Sequence, residues 1–142
     1  MRSSLSSGYR PIVAFPLLLL LSHCSFGPSA SEKAEAGRLN RAIVQLRDAP
    51  NAQKGQLLDA LKSVRCETRE LCELQRACID GYRQHVSALT ETARAKSLLA
   101  TPDGAAEAAR ILDAAQSELS QASPKITHCT EAQGAAQRKY KL

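Results

Sequence analysis

The chain has 142 residues with 19 basic and 14 acidic side chains, a formal net charge of +5, no tryptophan, three tyrosines, two phenylalanines and five cysteines. That length supports one small domain. The modest, dispersed positive charge and the scarcity of aromatics argue against a nucleic-acid-binding surface or a stacking platform for bases or sugars.

In chain order, the first element is a leader. Arg2 and Arg10 are the only charges in the first 31 residues, and the apolar run Ile12–Leu21 is interrupted by Pro16. A membrane-spanning helix needs about 20 apolar residues. This run is about half that length, which with its basic flank is the build of a secretory signal. Residues 1–23 are therefore expected to be a signal peptide. Their loss removes Arg2 and Arg10 and leaves a net charge of about +3.

The run closes on Leu21-Ser22-His23-Cys24. These four residues resemble the lipobox of bacterial lipoproteins. Leu21 and Ser22 suit that pattern, whereas His23 departs from the small residue the family prefers before its cysteine. The resemblance implies that Cys24 becomes the first mature residue and carries a diacylglyceryl thioether and an acylated amine. Several acyl chains anchor a protein stably where one does not. Ser25, in place of an acidic residue, implies the outer membrane by the same resemblance. The alternative is ordinary cleavage after Cys24, giving a soluble periplasmic or secreted protein. Residues 24–28 are read as the anchor cysteine and a short linker, and residues 29–142 as the folded domain.

That domain reads as all-α, a small up-down bundle of three or four helices. Ser29 and Glu32 match a capping box that opens the first helix, and Leu39, Ile43 and Leu46 follow at helical spacing. Ala49-Pro50-Asn51 stops or kinks it. A second helix carries Leu57, Leu58, Leu61 and Val64 on one face. A third runs from about Arg69 to Leu99, with Leu71, Leu74, Cys78, Tyr82, His85 and Leu89 in one stripe. Thr101-Pro102-Asp103-Gly104 is a turn in which Pro102 is placed to start the fourth helix. That helix lines up Ile111, Ala115, Leu119, Ala122, Ile126 and Cys129, and Pro124 is expected to kink it or to restart it with Ser123 as cap. Alternating β-branched runs are missing, so no strand is expected. Two shorter helices should pack on a long C-terminal hairpin, unless the first two merge through Pro50 into a three-helix version. Its alanine-rich faces bury little area each, so the core is thin.

Beyond Cys24 there are four cysteines: Cys66, Cys72, Cys78 and Cys129. An even number in an exported chain points to disulfides, with three possible connectivities. Cys78 and Cys129 each fall in the middle of an apolar stripe, and Cys66 and Cys72 flank the turn between the second and third helices. That placement predicts Cys66–Cys72 and Cys78–Cys129, with Cys66–Cys78 and Cys72–Cys129 as the alternative.

Other chemistry is weakly marked. The five-residue gaps between Cys66, Cys72 and Cys78 are not a usual structural-zinc spacing, His85 lies on the apolar stripe as a neutral core residue, and His128 points away from the core. No metal or cofactor is expected. The carboxylates Glu67, Glu70 and Glu73 share a face with Arg65, Arg69 and Arg76 and read as helical ion pairs. Arg138, Lys139 and Lys141 read as favourable charge at a helix C-terminus, or else as a contact for acidic lipids or anionic envelope polymers.

The stretch Cys66-Glu67-Thr68-Arg69-Glu70-Leu71-Cys72, followed by Asp80 and Tyr82, resembles helical, cysteine-paired lysozyme-inhibitor lipoproteins. The spacings depart and Cys78 interrupts the run, so no inhibitory residue carries over. The leading expectation is a non-enzymatic exported lipoprotein, an envelope scaffold or protein-interaction module held to the membrane through Cys24. Its partner is expected to be an envelope protein, met by a helix face or by the hairpin tip near Ala100–Gly104. The alternative is a binding or inhibitor protein, or a ligand- or metal-binding bundle.

Overall fold

The computed structural model describes residues 27–142. The expected signal peptide and the expected acylation at Cys24 lie outside the described residues. Four α-helices follow in order: α1 (Ala30–Asp48), α2 (Lys54–Ser63), α3 (Arg69–Leu98) and α4 (Ala105–Tyr140), with a short 3-10 turn at Asn51–Gln53 before α2. No strand occurs among the described residues.

Local signals set most boundaries. The Ser29 hydroxyl accepts from the Glu32 N–H at 3.2 Å, and the Glu32 carboxylate accepts from the Ser29 N–H at 2.7 Å. That reciprocal pair is the expected capping box. Ala49 and Pro50 turn extended, so α1 and α2 are separate helices and the four-helix version of the fold holds. Pro102 does not begin α4 as expected. It sits in the turn, and Gly104 is the residue before the helix. A Cβ at Gly104 would run into the Leu98 carbonyl and the Thr101 hydroxyl, so the return of the chain over the end of α3 requires glycine there.

Pro124 lies inside α4, which runs on as one helix to Tyr140. Ser123 does not restart it; its carbonyl accepts from the Thr127 hydroxyl at 3.1 Å. Proline costs a helix one hydrogen bond. Pro124 and Ser120, whose carbonyl loses that bond, are both exposed, so water can satisfy the carbonyl.

α3 and α4 form the long antiparallel hairpin, and α1 and α2 pack on one side of its open end. The main core joins Leu39, Ile43 and Leu46 of α1 to Leu58 and Leu61 of α2, Leu71, Leu74, Cys78 and Tyr82 of α3, and Cys129, Ala136 and Tyr140 of α4. The α3 stripe departs from expectation after Tyr82. His85 and Leu89 are only half-buried, and burial passes to Gly81, Ala88 and Ala95. These three are spaced by seven residues. Across from them, α4 buries Ala108, Ala115, Ala122, Cys129 and Ala136, again every seventh residue. A sustained seven-residue repeat keeps one seam facing its partner, and small residues on it let the backbones come close.

Gly81 marks a close approach of the two helices. A Cβ built there would lie 3.0 Å from the backbone of Lys125 and Ile126. Backbone atoms in a packed helix cannot swing aside as a side-chain tip can. Gly81→Val is therefore expected to lower stability by about 2 kcal/mol through overpacking. Gly81→Ala would gain up to about 1 kcal/mol in an open helix and here is expected to be no more stable than the parent. Urea midpoints for the two variants check this; a Gly81→Val midpoint equal to the parent's would refute the close seam.

Candidate functional site

The cysteines occupy two different settings. Cys78 and Cys129 join α3 to α4 with Sγ atoms 2.03 Å apart, at 0% and 1% exposure. Cys66, in the loop between α2 and α3, lies 2.08 Å from Cys72 in the early part of α3, and both are half-buried. The structure thus places the four cysteines in the first of the two connectivities weighed from sequence. The geometry follows from register: positions 78 and 129 sit on facing stripes, whereas 66 and 72 close a corner.

That corner is held by buried polar side chains that sequence reasoning missed. The Glu35 carboxylate, 5% exposed, accepts from the Glu67 N–H at 2.7 Å, the Thr68 N–H at 3.1 Å and the Thr68 hydroxyl at 2.8 Å. It sits at the N-terminal end of α3, where unpaired N–H groups and the helix dipole favour an anion. Burial pushes its pKa up. The hydrogen bonds from Glu67 and Thr68, with the nearby Arg38 charge, outweigh this and hold it below the usual carboxylate value. Lys54 Nζ donates to the Leu46 and Arg47 carbonyls at 2.9 and 2.8 Å and closes the C-terminal end of α1; burial lowers its pKa. Gln75 Nε2 donates to the Leu61 and Val64 carbonyls at 2.8 and 2.7 Å and does the same for α2. Asn40 Oδ1 accepts from Gln133 and Gln137 and ties α1 to α4. Each of these four side chains answers a helix end or another helix, whereas Gln84 Oε1, Glu118 Oε2 and the Tyr140 hydroxyl are buried without a hydrogen-bond partner.

Several other charged side chains pair with one another. Arg69–Glu73 pairs at 2.9 Å one turn apart on α3, as the charge pattern predicts; Arg65–Glu67 pairs at 2.9 Å in the loop before α3 and not on a helix, and Glu70 pairs with Lys139 of α4. The C-terminal basic run is therefore partly spent inside the fold, and Tyr140 within it is a core residue at 2% exposure. His85 stands edge-on to Tyr82, ring centres 6.5 Å apart. Burial, with the Lys54 charge, lowers its pKa. His128 is exposed and borders a shallow groove with Ala77, Asp80, Pro124 and Lys125. No group of three or more His, Cys, Asp or Glu side chains is placed to hold a metal ion among the described residues.

The other distinctive region is the far end of the hairpin. The satellite core there is Ala95, Ala108 and Ile111 with Leu98, drawn from α3 and α4 alone. Leu98 is about 18 Å of helix beyond Val86, at 1.5 Å per residue, and Val86 is the last α3 residue packed against the main core. Near the tip Leu99 and Leu112 are 57% and 39% exposed. The 3-10 turn and the start of α2 border a groove against α3 as far as Lys96; beyond it the two helices have no third layer, so apolar side chains at the rim stay in water. Among the described residues no helix is long and apolar enough to cross a membrane.

No family model matches the chain, and no curated protein or solved structure matches it.

Proposed function

We propose that this chain is a non-catalytic exported lipoprotein that holds a protein partner in the cell envelope, with the distal arm of the hairpin as its contact. The carrying observation is the arm itself: α3 and α4 extend past the layer formed by α1 and α2 and expose Leu99 and Leu112 at their end. Exposed leucines in water cost hydrophobic free energy that a partner's apolar surface recovers. The two cysteine pairs and the buried caps stiffen the opposite end. A rigid base bearing a projecting arm suits presentation of a contact away from a membrane. The leader and the Leu21-Ser22-His23-Cys24 sequence support acylation at Cys24 as the means of attachment.

Site-specific crosslinking in the host's envelope tests this. A photoreactive residue at position 99 or 112 is expected to give a discrete adduct, and the same residue at the exposed position 41 of α1 is expected to give none. The protein should sediment with membranes and incorporate labelled palmitate, and Cys24→Ala should abolish both. Equal crosslinking at positions 41 and 99 would reject the arm as the contact. Unaltered membrane sedimentation of Cys24→Ala would reject the anchor.

A further inference from the structure

The two cysteine pairs differ in a way that gives them different chemistry. Cys78–Cys129 is sealed in the α3–α4 seam, whereas Cys66–Cys72 is half-buried at a corner. Thiol–disulfide exchange requires in-line approach of a thiolate to one sulfur, so access decides which bond reacts first. The corner also has anchors independent of its sulfurs. Gln75 holds the Val64 carbonyl, and Glu35 holds the Glu67 and Thr68 N–H groups and the Thr68 hydroxyl. The loop from Val64 to Thr68 is thus fastened on both sides of Cys66 by hydrogen bonds that survive loss of the bridge.

We propose that Cys66–Cys72 is a reversible thiol–disulfide site, opened by a dithiol reductant while Cys78–Cys129 stays closed and the bundle stays folded. A thiolate of the dithiol attacks Cys66 Sγ. The Sγ–Sγ bond breaks and its electron pair leaves on Cys72 Sγ, which takes a proton from water. Cys72 is the better leaving group because it lies near the N-terminal end of α3, whose dipole favours a thiolate, with Arg76 one turn on; Arg69 is paired with Glu73, and the Glu35 carboxylate shares that helix end. The second thiolate of the dithiol then attacks the first dithiol sulfur, closes a disulfide within the reductant and expels Cys66, which is protonated. Two electrons pass from the dithiol to the protein, and two thiols remain at the corner. With a disulfide as the two-electron acceptor, the same steps run backwards.

The test is graded reduction of the full chain carrying both bridges, using dithiothreitol, with alkylation at intervals and peptide mass spectrometry, while circular dichroism follows helix content. Cys66 and Cys72 are expected to become alkylated at least about tenfold faster than Cys78 and Cys129, with the helical signal unchanged as the first bridge opens. Added oxidised glutathione should restore the bridge. Alkylation of all four cysteines at one rate, earlier opening of Cys78–Cys129, or loss of helical signal with the first bridge would each overturn the proposal. The double variant Cys66→Ser/Cys72→Ser gives an independent check, because it should retain the parent's helix content; an unfolded variant would overturn the claim that hydrogen bonds alone hold the corner.

Discussion

Replacing Cys78 and Cys129 together by alanine is expected to lower the melting temperature by about 15 °C. The bridge closes a loop of 51 residues. In the chain-entropy account such a crosslink contributes about 4 kcal/mol by restricting the unfolded ensemble, against about 2 kcal/mol for the six-residue separation of Cys66–Cys72. A small domain has about 5–15 kcal/mol in total, so the long bridge is a large share of it. Packing should change little, because alanine at 129 continues the run Ala108, Ala115, Ala122 and Ala136 on the same seam. The loss is thus expected mainly through the unfolded state. Thermal melts of parent and double variant, followed by far-ultraviolet circular dichroism, decide the matter; midpoints within a few degrees of each other would mean that the α3–α4 seam holds without its crosslink.

Glu35→Gln is expected to cost about 2–3 kcal/mol, although it changes only one atom and a charge. The carboxylate accepts three hydrogen bonds in a nearly buried setting at the start of α3. An amide keeps one acceptor oxygen for the Glu67 and Thr68 N–H groups but puts an NH2 beside the Thr68 hydroxyl and 3.3 Å from the Thr68 N–H, and the charge that strengthens all of these bonds is lost. The pH dependence carries a separate signature. The folded-state pKa of Glu35 lies below its ordinary value of 4.5. The folded state therefore favours the carboxylate, and this contribution is complete above about pH 4.5. It is lost as pH falls through the folded pKa, where the unfolded chain already binds the proton. The gap in stability between parent and Glu35→Gln should accordingly narrow on acidification. Denaturant midpoints at pH 7 and at successively lower pH measure it. A gap that stays constant with pH would show that Glu35 contributes through shape and not charge.

Much of the fold was legible. Ser29 and Glu32 announced the start of α1, Pro50 its end, and the Leu71–Leu74–Cys78 spacing the beginning of a helix that runs 30 residues. The misreadings share a cause. His85 and Leu89 read as core when the α3 stripe is extended at constant phase past Tyr82. In the hairpin, the seam instead follows a seven-residue repeat that selects the smallest side chains, Gly81, Ala88 and Ala95. Hydrophobicity alone ranks alanine low, so a seam built on closeness of backbones is faint to that measure. Glu35, Lys54 and Gln75 left a signal that went unused: each is a polar residue on the apolar face of its helix, four before Leu39, four before Leu58 and four after Leu71. Such a residue needs a buried partner, and the partner is a helix end.

The sequence by itself determined that the described chain is helical and where its helices begin and end to within a few residues, and it narrowed the cysteine pairing to two connectivities between which the structure decided. These are consequences of propensity, capping and the 3.6-residue period, all of which act between near neighbours. Only the tertiary structure decided that Glu35 meets the first turn of a helix 32 residues further on, that Tyr140 enters the core beside α1, and that the hairpin outruns its covering layer to leave a bare arm. Those outcomes depend on where separate helices cross and how far each extends past the others, which is set by the sum of many contacts between distant segments and is written in no single stretch of residues.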